Sequence, residues 1–167
     1  MPTPGAWAGI AGQANVRWTL RARKRRYTMG RNEDAILHYE QAQSAEKQKD
    51  YLFARVEYMK CIESYKQAGD FDKLALVTKE YEDFVKNDPI FNQLKEMIIP
   101  FIRANPGIIQ SEITSKFEQS NWQQLYDYDR PVMKDDIYYV LYFADKFGDI
   151  FRIKKGHSYE LQAKKIN

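Results

Sequence analysis

Cysteine, histidine and long hydrophobic runs are what this chain has least of. A single cysteine, Cys61, stands among 167 residues, which excludes an intrachain disulfide framework and a thiolate metal cluster and suits a reducing compartment. The two histidines, His38 and His157, lie far apart without ligand spacing, so no structural zinc site is expected. The longest apolar stretch, Met97-Ile98-Ile99-Pro100-Phe101-Ile102, holds a proline and falls far short of the roughly 18 to 20 residues that cross a bilayer. The expectation is a soluble protein, cytoplasmic or, in a eukaryote, nuclear, with no membrane partner. Catalytic signatures are missing too: there is no glycine-rich phosphate loop, nucleophile elbow or metal-binding helix. The acid groups Glu80, Glu82 and Asp83, and Asp127 with Asp129, have no histidine or third ligand beside them and read as solvated faces. Cys61 reads as a small core residue, and His38 as a helix-surface or half-buried one. No enzyme activity, metal or cofactor is expected.

The charge is present but unevenly spread. The formal net charge is +3, yet residues 1–31 hold seven basic groups (Arg17, Arg21, Arg23, Lys24, Arg25, Arg26 and Arg31) and no acid, which leaves 19 basic and 23 acidic groups for the rest. This first segment begins with Pro2, Pro4, Gly5, Gly9 and Gly12, shows no lasting period and ends in the cluster Arg21 to Tyr27. It has too little to bury to offset the entropy of ordering it and reads as a flexible basic arm. Its role stays open between a nucleic-acid-contacting tail, an organelle-targeting segment, and upstream sequence ahead of a start at Met29.

From Asn32 the pattern is helical. Asn32 reads as an N-cap followed by Glu33 and Asp34, and Ala35, Ile36, Tyr39, Ala42 and Ala45 follow at spacings of three and four, which predicts a helix over about 33–48. A second begins after Lys49-Asp50, with Tyr51, Ala54, Tyr58, Cys61, Ile62 and Tyr65 on one face. Ala68-Gly69-Asp70 supplies a C-terminal glycine and the next N-cap. A third runs over about 71–86 on Leu74, Val77, Tyr81, Phe84 and Val85, until Asn87-Asp88-Pro89 stops it. Residues 32–89 are therefore predicted to form an antiparallel three-helix bundle. They carry 8 basic and 13 acidic groups, a balance that suits a protein partner or self-association better than nucleic acid.

The stretch from Lys49 to Gly69 resembles the second helix of a tetratricopeptide repeat, or the equivalent part of a microtubule-interacting-and-transport bundle. The positions that carry the likeness are Tyr51, Ala54, Tyr58 and Cys61, an alternation of aromatic and small residues. It covers about 55 residues and at most one and a half repeats, where an array needs about three. The resemblance therefore implies a lone three-helix unit rather than an extended solenoid.

Residues 90–167 follow another order. Phe91, Leu94, Ile98, Ile99 and Ile102 mark a helix to Ala104 with Pro100 inside it, and Asn105-Pro106-Gly107 ends it. Ile108 to Phe117 predicts a short helix capped near Gln110 or Ser111, with Ile113 and Phe117 inward. A polar, aromatic linker runs from Glu118 to Pro131. A long helix follows over about 133–147 with Ile137, Val140, Leu141 and Ala144 buried, and Gly148 ends it. Two alternating segments, Ile150 to Ile153 and Ser158 to Leu161, flank Lys154-Lys155-Gly156-His157 and read as a hairpin.

That order, from Asn105-Pro106-Gly107 to the hairpin, resembles a winged helix-turn-helix over about 60 residues, the whole chain then being mainly α with a small β-hairpin wing. The resemblance implies duplex DNA as a partner and transcription regulation as a role. It places the exposed face of the third helix, Lys134, Asp135, Tyr138, Tyr139 and Tyr142, toward the major groove, and the wing, Arg152, Lys154, Lys155 and His157, on phosphate. Residues 150–167 hold five basic groups and one acid, which suits phosphate. Asp135 and Asp136 can accept from cytosine or, as the simpler reading, support the start of the helix. Trp122, Tyr126, Tyr128, Tyr138, Tyr139 and Tyr142 are expected either to pack the linker on the helix, to form a patch for a homodimer or other protein partner, or to stack on bases. The alternative function is a protein-interaction adaptor whose winged helix never meets DNA.

Overall fold

The computed structural model describes residues 30–119 and 131–165. Most of the basic arm, and most of the linker with Trp122, Tyr126, Asp127, Tyr128 and Asp129, lie outside the described residues. The described part is mainly helical, with a three-stranded antiparallel sheet at its C-terminal end, and no helix in it is long and apolar enough to cross a membrane. The chain divides into two compact units, up to Tyr81 and from Glu82, so the boundary falls inside a helix and ahead of the one expected at Pro89.

The first unit holds helix α1 (30–47), helix α2 (Tyr51–Ala68) and most of helix α3 (Phe71–Asn87). Gly30 and Arg31 are already helical, so Asn32 sits inside α1 and is not its N-cap. The other caps fall where the sequence puts them. The Asp50 carboxylate accepts the Phe53 N–H at 3.1 Å, and Asp70 accepts from Lys73 at 3.2 Å, each satisfying a first-turn donor that has no helical partner. Gly69 closes α2 with φ +73°, a conformation that costs a side-chain-bearing residue about 1 kcal/mol or more. Ala35, Ala42 and Ala45 of α1 are buried together with Ala54, Tyr58, Cys61 and Tyr65 of α2 and Val77 and Tyr81 of α3. The alanines let the helices come close, and the Tyr58 and Tyr81 rings stack at 5.6 Å to fill the space between. Burial, and after it the Glu80 carboxylate, push the Cys61 thiol up to about 11, so it stays protonated at neutral pH and packs as an apolar side chain.

The second unit starts with the end of α3. Helix α4 (Pro89–Ala104) has Pro89 in its first turn, where the missing N–H costs nothing, and Asp88 as its N-cap. Strand β1 (Ile108–Ile109) follows, then α5 (Gln110–Gln119), α6 (Lys134–Lys146), β2 (Ile150–Lys155) and β3 (Ser158–Ala163). Ile108 and Ile109 are thus strand, not the start of a helix. Gly107, at φ +83°, turns the chain onto β3, and the pairing of Ile108 with Leu161 and Ile109 with Glu160 is a non-local interaction that helical periodicity does not reveal. The sheet order is β1-β3-β2.

One core joins these elements. Ile90, Phe91, Leu94, Ile98 and Ile102 of α4 are buried with Ile113 and Phe117 of α5, Ile137, Val140, Leu141 and Ala144 of α6, and Ile150 and Leu161 of the sheet. The β2–β3 turn is Gly156-His157, with φ +60° at Gly156 alone, the two-residue loop whose first position favours glycine. At the root of the hairpin the Arg152 N–H donates to Asp145 Oδ1 of α6 at 3.1 Å.

Candidate nucleic-acid interface

The surface to which the sequence assigns DNA is built from α6 and the β2–β3 hairpin. Helix α6 starts at Met133, whose N–H is accepted by the Asp136 carboxylate at 2.9 Å. Asp136 is buried, so it serves the start of the helix, as the simpler reading expected. Asp135 is exposed beside it. The two acids that look equivalent in sequence therefore have different surroundings.

The outward line of α6 is Lys134, Tyr138 and Tyr142, one helical turn apart. The Lys134 ammonium lies 5.3 Å from the Tyr138 ring centroid, and Tyr142 is 51% exposed. Tyr139 is corrected: it is only 8% exposed, and its hydroxyl donates to Asp88 Oδ2 at 2.8 Å. Its ring meets Phe91 edge-on at 6.0 Å. Tyr138 and Tyr139 are both aromatic, so only their angular positions separate them, and Tyr139 falls on the side of Asp136 and Phe143, which are also buried.

Arg152 is also corrected as a free wing contact. Its Nε and one terminal nitrogen donate to Gln110 Oε1 at 3.2 and 3.0 Å, and the guanidinium lies 4.3 Å from the Tyr159 ring centroid. The group holds the hairpin to α5. Lys155 is ion-paired with Glu160, whose carboxyl is held below the usual carboxylate range by the hydrogen bond from Lys155 and then that from Gln162. This pair was readable from the hairpin: with Lys155 opposite Ser158 and Ile153 opposite Glu160, Lys155 and Glu160 are diagonal neighbours on one face. Lys154 and His157 are exposed, and among the described residues Lys154 pairs with no acid. Of the basic residues assigned to this surface, Lys134 and Lys154 are left for a polyanion, with Lys155 available once released from Glu160.

The outer face of the sheet that holds Lys155 and Glu160 also carries apolar side chains. Ile109, Glu160 and Ile153 form one cross-strand row, and Phe151 lies in the next, opposite Gln162. Phe151 is 52% exposed, and Ile109 and Ile153 are both 42% exposed. The chain matches no protein-family model, and neither the curated proteins nor the solved structures yield a match.

Proposed function

We propose that the second unit is a winged helix that binds duplex DNA, and that the chain is a non-enzymatic, DNA-associated regulatory or accessory protein. The tetratricopeptide-like or microtubule-interacting-and-transport-like bundle before it serves a protein partner or self-association. The observation that carries this reading is the order α4-β1-α5-α6-β2-β3 with sheet order β1-β3-β2, which sets an outward helix face beside a hairpin with lysines next to its turn.

The test is a titration of duplex DNA at several salt concentrations with the full chain and its Lys154→Glu/Lys155→Glu variant. The expected result is binding that weakens steeply with salt and falls about tenfold or more in the variant, because two attractive charges become repulsive. Binding indifferent to both salt and variant sinks the proposal. A second variant tests the same surface in the opposite direction. Glu160→Gln removes the ion partner of Lys155, so affinity rises and the slope of log K against log salt steepens by about 1.

A second reading, the protein adaptor, is favoured by the Ile109, Phe151 and Ile153 side chains exposed on the outer sheet face. Replacing Phe151 and Ile153 with Ser then abolishes capture of a protein partner in nuclease-treated lysate. Unchanged capture removes this reading.

A further inference from the structure

Resting on the duplex-DNA reading, we infer that Gln110 and Arg152 are positioning residues for Lys154: they fix the hairpin, and with it the phosphate-binding ammonium, relative to α5 and α6. A lysine is a point charge on a flexible stem, so the place where its backbone is held decides which phosphate it reaches. Ile150, at the root of β2, is buried in the core, whereas residues 153–156 are all exposed. Arg152 stands between these two parts and joins the strand to two helices.

The Arg152 backbone N–H donates to Asp145 Oδ1 of α6 at 3.1 Å, and its side chain donates twice to Gln110 Oε1, at 3.2 and 3.0 Å. Gln110 opens α5, which Ile113 and Phe117 seat in the core, and its own carbonyl accepts the Thr114 hydroxyl at 2.9 Å. The acceptor therefore sits on a fixed element. The guanidinium also lies 4.3 Å from the Tyr159 ring centroid, and a planar group held by two donors and a stacked ring has little freedom to turn. Tyr159 stands directly opposite Lys154 in the hairpin, so the two side chains share one face with Arg152. The contacts run from helix to wing as Gln110, Arg152, Tyr159, Lys154.

The experiment titrates one duplex at several salt concentrations with the full chain and its variants. Lys154→Ala lowers the slope of log K against log salt by about 1. Gln110→Ala changes no charge, yet it lowers affinity about threefold to tenfold and brings the slope toward that of Lys154→Ala, because the misplaced ammonium no longer releases a counterion. On the Lys154→Ala background the same substitution has no further effect, since the group it places is gone. Gln110→Glu keeps an acceptor for both Arg152 donors and stays within about threefold of the parent. Without DNA, amide hydrogen exchange over residues 153–160 rises in Gln110→Ala while that of α4 is unchanged.

Higher affinity in Gln110→Ala overturns the inference, because the freed Arg152 then serves phosphate itself. Unchanged affinity and slope overturn it too, as does a loss by the same factor at every salt concentration, which marks a smaller competent population rather than a lost contact. Losses that add to those of Lys154→Ala, or hydrogen exchange that rises in α4 as well, likewise count against it. Salt-dependent binding that Lys154→Ala leaves unaltered removes the group being placed. Each of these results leaves the duplex reading standing. Parent binding that is absent or indifferent to salt overturns the duplex reading, and the inference with it.

Discussion

Asp88→Ala lowers the stability of the second unit by about 2 to 4 kcal/mol. Asp88 is wholly buried. One of its oxygens accepts the Ile90 N–H at 2.8 Å, and the other accepts the Tyr139 hydroxyl at 2.8 Å. Alanine removes the cap of α4, worth about 1 kcal/mol, and leaves the Tyr139 hydroxyl and a backbone N–H in an apolar setting, each at about 1 to 3 kcal/mol before relaxation. Urea unfolding followed by far-ultraviolet circular dichroism reads the loss. Tyr139→Phe costs only about 1 kcal/mol, and in the double variant the losses are less than additive, because the second substitution removes the group that the first left unsatisfied. Additive losses, or an Asp88→Ala cost below about 0.5 kcal/mol, contradict the assignment.

Glu57→Gln destabilises the first unit by about 1 to 3 kcal/mol at neutral pH. Glu57 is 1% exposed, with one oxygen 2.5 Å from His38 Nδ1 and the other accepting from Lys60 at 2.7 Å. The figure is held below that of a fully buried pair because the ammonium of Lys60 and the imidazole edge return to solvent when the carboxylate is lost. Burial alone pushes the Glu57 carboxyl up, but the hydrogen bonds from Lys60 and His38 outweigh it, and the group ends below its ordinary value. A carboxyl depressed in the folded state stabilises above its unfolded value of about 4.3 and loses that contribution as pH falls toward the folded value. The gap between wild type and Glu57→Gln is therefore widest near neutrality and closes below about pH 4. A gap that stays constant with pH shows that packing, not charge, is what the substitution removes.

Much of the helical frame was legible because its signals are local. Asp50, Asp70 and Gly69 act where their residue types place them, and the inward stripe of α6 lies where period 3.6 puts it. Strand β1 was not legible. Two isoleucines before a helix have the same pattern as its first turn, and only the partner residues Leu161 and Glu160, some fifty positions away, make them a strand. The candidate site divides in the same way. Lys154 and His157 are exposed because a hairpin turn is exposed, whereas Tyr139 and Arg152 are withdrawn by Asp88 and Gln110, groups distant in sequence whose polar atoms needed partners. Charge counting identifies basic residues and not which of them already have an acid, as Lys155 does. Asn32 failed for a simpler reason: a good cap residue does not end a helix that has already begun.

The hydrogen bond from the Arg152 N–H to Asp145 carries a consequence for assembly. Strand β2 has β3 on one side only, and on the other side an outward backbone donor is the group that recruits a further strand. Asp145 occupies that donor, and the lysines at positions 154 and 155 follow along the same rim. Strand addition at this point of the β2 rim, from a second copy or from an extended peptide, is thus opposed. Growth into a fibril along this rim meets, at that donor, a side chain from the neighbouring helix already in place.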